Sequence, residues 1–217
     1  MNIRFIIYFI ISSIILLQTA CGPKEDPAPY YTLSDEFKSY CFFNDGSSWE
    51  YKSSLLPTND VVAIGGHMEN VWTNTFEEIY NYQAVDMYVL DNQIGISMIE
   101  LTAGSTINAV TSMNSQMWLF FDNGDYRLIF APQYPLGEEQ LLGEHEGNYT
   151  NVEIIPAMSF GQKTYLDVYH TRVIDYFEQG FGNFHFYIAK NYGLVKMENI
   201  INNDTIIIEL IDSSLSQ

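Results

Sequence analysis

The stretch Met117–Phe130, MWLFFDNGDYRLIF, sets two apolar runs on either side of Asp122, Asn123, Gly124 and Asp125. Asn-Gly supplies the positive φ values that a tight turn needs, so the segment predicts two strands joined as an antiparallel hairpin. The same pattern recurs at the C-terminal end, where Asn202, Asn203 and Asp204 separate Leu194–Ile201 from Thr205–Ile211. Working outward from these hairpins, nearly every apolar segment after Gly46 is short, rich in Val, Ile, Tyr, Phe or Trp, and bounded by turn residues. Strands are therefore expected at Ser48–Ser53, Val61–Ile64, Phe76–Leu90, Ile94–Thr102, Asn151–Ile155, Thr164–Ile174 and Asn183–Ala189. Trp72–Ala84 also carries Phe76, Ile79, Tyr80 and Gln83 at helical spacing, but its Asn, Thr and Tyr content favours strand. In Thr164–Ile174 the alternation places Leu166, Val168 and Ile174 on one side and Tyr165, Asp167 and Tyr169 on the other, as in a sheet with one buried face. One short helix is expected ahead of the strands. Ser34 caps it, Asp35 and Glu36 suit the positive end of its dipole, Phe37, Tyr40 and Cys41 share a face, and Asn44, Asp45 and Gly46 end it.

Composition narrows the function classes. The 217 residues hold 27 acidic and 9 basic side chains, a formal charge of -18. Nine cations spread over the whole chain make no basic face, so no nucleic-acid partner is expected. A hydrophobic content of 47%, with 16 Tyr, 14 Phe and 3 Trp, provides a core and excludes a disordered chain, and two Cys exclude a disulfide scaffold.

Met1–Ala20 has one charge at Arg4 and an apolar run from Phe5 to Leu17, then small residues at Thr19 and Ala20. The run is shorter than a membrane-crossing helix requires, and it reads as a signal peptide that is removed. Cys21 follows directly, with Gly22 behind it, and this resembles the lipobox of bacterial lipoproteins, in which the cysteine is acylated. Gln18 stands where the family usually has Leu. Lys24, Glu25 and Asp26 resemble the Bacteroidetes signal that sends lipoproteins to the outer face of the outer membrane. Pro23, Pro27 and Pro29 keep residues 21–33 extended as a tether. The mature chain has 197 residues and a charge of -19, and residues 34–217 form one domain with no linker or repeat.

Two further stretches resemble a group of uncharacterised Bacteroidetes outer-membrane lipoproteins. Near the start of the domain, Gly46, Trp49 and Tyr51 fit a Gly-x-x-Trp-x-Tyr strand opening. Toward the end, Gly161, Tyr165 and Val168 fit a Gly-x-x-Tyr-x-x-Val strand, and Ala189, Lys190, Gly193, Leu194, Val195 and Lys196 fit Ala-Lys-x-x-Gly-Leu-Val-Lys. The resemblance implies an all-β fold: a single, strongly curved antiparallel sheet, as a half-barrel or a lipocalin-like barrel. It implies a fold and carries no catalytic duty.

Motifs for chemistry are absent. His67, His145, His170 and His185 do not fall at metal-ligand spacing, although His170 and His185 can meet across a sheet. Cys41 reads as a buried small hydrophobe and the Asp122–Asp125 turn as a plain hairpin. Asp204, Thr205 and Ile206 resemble the Bacteroidetes O-glycosylation sequon. No enzyme, cofactor or metal is expected. The aromatic excess is the one positive functional sign. Tyr165, Tyr169, Phe184, Phe186 and Tyr187, beside Tyr176, Phe177 and Phe181, suggest rings that line a ligand site. The expectation is a lipid-anchored surface protein that binds a lipid or other small apolar ligand. The alternative is a structural or interaction subunit of an envelope assembly, with an envelope protein as partner.

Overall fold

In the computed structural model the chain is described for residues 27–75, 79–104, 115–143, 147–160, 163–175, 182–201 and 204–216. The signal peptide, Cys21, Lys24, Glu25, Asp26, Gly161, His145, Tyr176, Phe177, Phe181 and the Asn202–Asn203 turn lie outside the described residues.

The central hairpin is formed as expected, by β6 (Gln116–Phe121) and β7 (Tyr126–Phe130). Gly124 alone takes positive φ, at 88°. Asn123 uses its side chain instead, accepting from the Asp125 amide at 3.1 Å and donating to its carboxylate at 2.9 Å. On the N-terminal side lie β1 (Tyr30–Tyr31), α1 (Asp35–Cys41), β2 (Ser48–Ser53), β3 (Asp60–Asn74), β4 (Tyr80–Val89) and β5 (Ile96–Thr102). On the C-terminal side lie β8 (Glu139–Gly143), β9 (Gly147–Phe160), β10 (Lys163–Asp175), β11 (Gly182–Ala189), β12 (Gly193–Ile201) and β13 (Asp204–Ser214).

Two antiparallel meanders, β2 to β7 and β8 to β13, join where β13 pairs β2. The spatial order is β7-β6-β5-β4-β3-β2-β13-β12-β11-β10-β9-β8, one strongly curved, half-barrel-like sheet that does not close. β1 adds a parallel pair to β4. Curvature has local causes. β3 pairs β2 through residues 60–63 and β4 through residues 64–74, and its register slips at Gly65 and Gly66, where it turns from one half of the sheet to the other. Further slips in β9/β10, β11/β12 and β13/β2 bend the second half.

Strand lengths depart from the sequence reading. Val61–Ile64 is only the start of a fifteen-residue strand, and the described part of Phe76–Leu90 forms a strand over Tyr80–Val89, residues 76–78 lying outside the described residues. Trp72 and Tyr82 face each other as cross-strand partners, so Trp72–Ala84 holds the end of one strand and the start of the next. In β10 the buried residues come from both predicted sides: Tyr165 and Val168 are fully buried, while Leu166 is 59% exposed. Asp167, with a positive φ of 51° just before Val168, breaks the simple alternation.

The helix plugs one end of the curved sheet. Ser34 accepts from the Phe37 amide at 3.2 Å, and Phe37, Tyr40 and Cys41 point inward. Phe37 stacks on Phe130 at 5.5 Å, and Tyr40 meets Phe130 and Tyr169. Cys41 is fully buried, with its thiol donating to the Phe37 carbonyl, and burial pushes that thiol up. It is packed as a small hydrophobe, out of reach of solvent.

The two motif stretches meet at the plugged end, 143 residues apart in sequence. The Trp49 indole N–H donates to the Tyr192 carbonyl at 2.7 Å, and the Tyr51 hydroxyl donates to the Leu194 carbonyl at 2.6 Å. Gly193 between those carbonyls has φ of 76°, and a Cβ there would lie 3.0 Å from the Phe43 ring. The glycine is therefore required twice, by its backbone and by the ring packed on it. Phe43 in turn meets Trp49 edge-on at 4.9 Å.

Hydrogen-bonded side chains, in place of a ladder, hold the free edge of β7 against β9 and β10. Thr171 donates to the Ile129 carbonyl at 2.6 Å, and the Ala131 amide donates to the Tyr149 hydroxyl at 2.9 Å. The Asn151 amide donates to the carbonyls of Ala131 and Tyr134, and its oxygen accepts from Tyr149. All three of Tyr149, Asn151 and Thr171 are fully buried.

Candidate functional site

Among the described residues, the void lined by Cys41, Phe43, Tyr51, Met117 and Leu119, beneath the helix, measures about 20 Å³, room for about one water molecule. The opposite end is open. β2, β6 and β12 run toward it from the helix end and β7, β11 and β13 run back from it, and the strand ends there surround a groove of about 230 Å³.

Apolar side chains form most of its wall. Leu55 and Leu56 follow β2, Phe121 ends β6 and Phe184 begins β11. Met197, Ile206 and Ile208 come from the C-terminal hairpin, and Ile94 precedes β5. Four polar residues interrupt this surface, Ser53, Gln93, Arg127 and Asn199. Arg127 stands over Phe184 at 4.2 Å and over Phe121 at 5.3 Å from the ring centroids, with Asp125 3.6 Å away. Its side chain is only 13% exposed, so water screens the guanidinium weakly. Asn199, on the wall, has its amide oxygen buried without a hydrogen-bond partner. Such a groove offers contact to a short alkyl chain and, to an acidic head, a guanidinium shared with Asp125.

The five rings singled out in the sequence go to different places. Phe184 lines the groove. Phe186 lies behind it, stacked at 6.4 Å and fully buried. Tyr165 fills the core between Phe160 and Tyr192, and Tyr169 packs on Phe130 and Tyr40. Tyr187 is on the other face of the sheet, stacked on His170 at 4.6 Å. Strand alternation explains the split, since 184 and 186 face one way and 187 the other. Arg127, Leu55 and Leu56 carry no motif. The available sign was a lone basic residue inside the apolar strand YRLIF.

His170 and His185 do meet, with Nε2 of the first 2.8 Å from Nδ1 of the second, and Glu153 lies 3.3 Å from Nδ1 of His170. One ring must donate and the other accept, so at least one stays neutral. Burial, and then the neighbouring His170, hold His185 below its ordinary value of 6.5. A folded value below the unfolded one means that stability is full above 6.5 and declines as pH drops beneath it. Replacing His185 by Gln is expected to remove this contribution. Melting temperatures between pH 8 and 5 should show the variant losing less on acidification than the wild type, and parallel curves would contradict it.

Among the described residues no three His, Cys, Asp or Glu stand together as metal ligands, and no helix is long and apolar enough to cross a membrane. No protein-family model matches the chain, and no curated protein matches its sequence. A solved structure from Parabacteroides distasonis ATCC 8503, described as a "putative lipoprotein" at 2.70 Å resolution, is similar over 81% of this chain and 99% of its own, with 12% identity and a TM-score of 0.37.

Proposed function

We propose that this protein is a lipid-anchored binding module whose open end takes a small ligand with an apolar body and an acidic head. The groove carries the reading: a largely apolar recess with one partly shielded guanidinium, at the unplugged end of a curved sheet. Ligand sites of this make-up favour the mouths of barrel-like folds. The void beneath the helix is too small for such a ligand, which favours the groove at the mouth as its seat.

Calorimetric titration with octanoic acid and with 1-octanol tests it. The wild type is expected to bind the acid at least tenfold more tightly than the alcohol. Arg127→Met should abolish that preference and retain weak binding of both. Equal affinity for the two in the wild type would remove the acidic head from the account.

Anchoring is the second half of the proposal. Cys21 after Ala20, the Lys24-Glu25-Asp26 triplet and the extended tether support acylation and display at the outer face of the outer membrane. Cys21→Ser is expected to move the protein from the membrane to the soluble fraction. Membrane retention of that variant would refute the anchor. The alternative, an interaction subunit of an envelope assembly, is favoured by exposed apolar residues such as Met68, Val71 and Trp72 along β3.

A further inference from the structure

A second recess of about 230 Å³ lies on β3 to β7 and shares no residue with the mouth groove. Five rings wall it: Trp72, Tyr82, Trp118, Phe120 and Tyr126, the first of them 48% exposed. Glu100 and Thr102 complete the lining. Thr102 is 6% exposed and its hydroxyl has no hydrogen-bond partner.

The electrostatics of the recess are unbalanced. Asp86 and Glu100 sit directly opposite each other on β4 and β5, where like charges oppose pairing. Asp86 is 7% exposed; Asn70 donates to one of its oxygens at 2.9 Å, and the other is buried without a partner. Among the described residues no Lys, Arg or His pairs with either carboxylate. Burial, and then the charge of Asp86, push Glu100 up to about 7. Buried Asp86 and half-buried Glu100, with no basic neighbour, are relieved either by a proton or by a cation from outside, and aromatic faces turned on the same space attract the cation. A sugar is a poorer match, because no Asn, Gln, Lys or Arg among the described residues lines the recess to hydrogen-bond its hydroxyls. The Trp118 indole N–H is already given to Gln116 at 3.2 Å. A bare metal ion would find two carboxylates among rings, too few ligands for a hard cation.

We propose that this recess binds an organic cation, an ammonium group with an aliphatic body, seated among the rings with Glu100 as its counter-ion. The site is independent of the mouth groove. Choline and its neutral isostere 3,3-dimethyl-1-butanol are the probes, followed by tryptophan fluorescence and calorimetry on the mature protein at low salt. Choline is expected to bind at least tenfold more tightly than the alcohol. Glu100→Gln should reduce choline affinity at least tenfold while leaving octanoic acid binding unchanged, and Trp72→Ala, at a half-exposed position, should weaken choline with the fold intact. Choline affinity should also fall as pH drops below about 7, where Glu100 takes up a proton; Asp86, Tyr82 and Tyr126 are the other titratable groups of the site. Equal affinity for the two probes, no saturable choline binding, or choline binding undiminished in Glu100→Gln would each overturn the proposal, as would N-acetylglucosamine binding in place of choline.

Discussion

Replacing Asn151 by Ala is expected to be among the most destabilising single changes in the domain. The Asn151 side chain is fully buried and makes three hydrogen bonds, to Tyr149, Ala131 and Tyr134. The Ala131 carbonyl keeps the Tyr134 amide as a donor. The Tyr149 hydroxyl and the Tyr134 carbonyl are left without this partner. Each buried polar group stranded in this way costs about 1–3 kcal/mol, so a loss of about 3–4 kcal/mol is expected. The consequence reaches beyond one contact, because these bonds tie β7 to β9 and bring the two ends of an unclosed sheet together. Tyr149→Phe keeps the ring but removes the acceptor for the Ala131 amide, and should cost about 1–3 kcal/mol. Urea unfolding of both variants checks the ranking. An unchanged midpoint for Asn151→Ala would show that the sheet ends are held by other means.

Trp49→Ala is expected to cost about 3–5 kcal/mol, the usual range for truncating a buried tryptophan. Trp49 is 4% exposed, meets Phe43 edge-on and donates to the Tyr192 carbonyl. Its loss would open a cavity beside the void already lined by Phe43, Tyr51 and Gly193, and would orphan a carbonyl at the start of β12. Trp49→Phe should fall between the wild type and the alanine variant, since it retains much of the ring and loses the N–H. Thermal or urea unfolding measures both. A Trp49→Ala protein as stable as the wild type would mean that the motif residues do not join the two chain ends energetically.

That junction shows what sequence reasoning reached and where it stopped. Trp49, Tyr51 and Gly193 stood out as motif residues far apart in the chain, and the structure places them in one cluster whose work is structural. The hairpin at Asp122–Asp125 and the helix capped by Ser34 were legible because turn and cap chemistry is local. The true lengths of β3 and β9 were not, because Gly65, Gly66 and the register slip near His170 keep a strand going through a bend that looks like an end. Ring counting could not separate Phe184, at the mouth, from Phe186 and Tyr165, in the core. That difference depends on which strand end is plugged by α1. The acidic pair Asp86 and Glu100 escaped notice because fourteen residues separate them and only the β4–β5 register sets them opposite.

The account rests most heavily on the groove at the open end, and a crystal structure of the mature protein grown with octanoic acid addresses it directly. The expected result is an alkyl chain against Phe184, Met197 and Ile206, with the carboxylate within hydrogen-bond distance of Arg127. An empty groove under conditions where calorimetry shows saturation, or the ligand seated elsewhere with Arg127 still covered by Phe121 and Phe184, would contradict it.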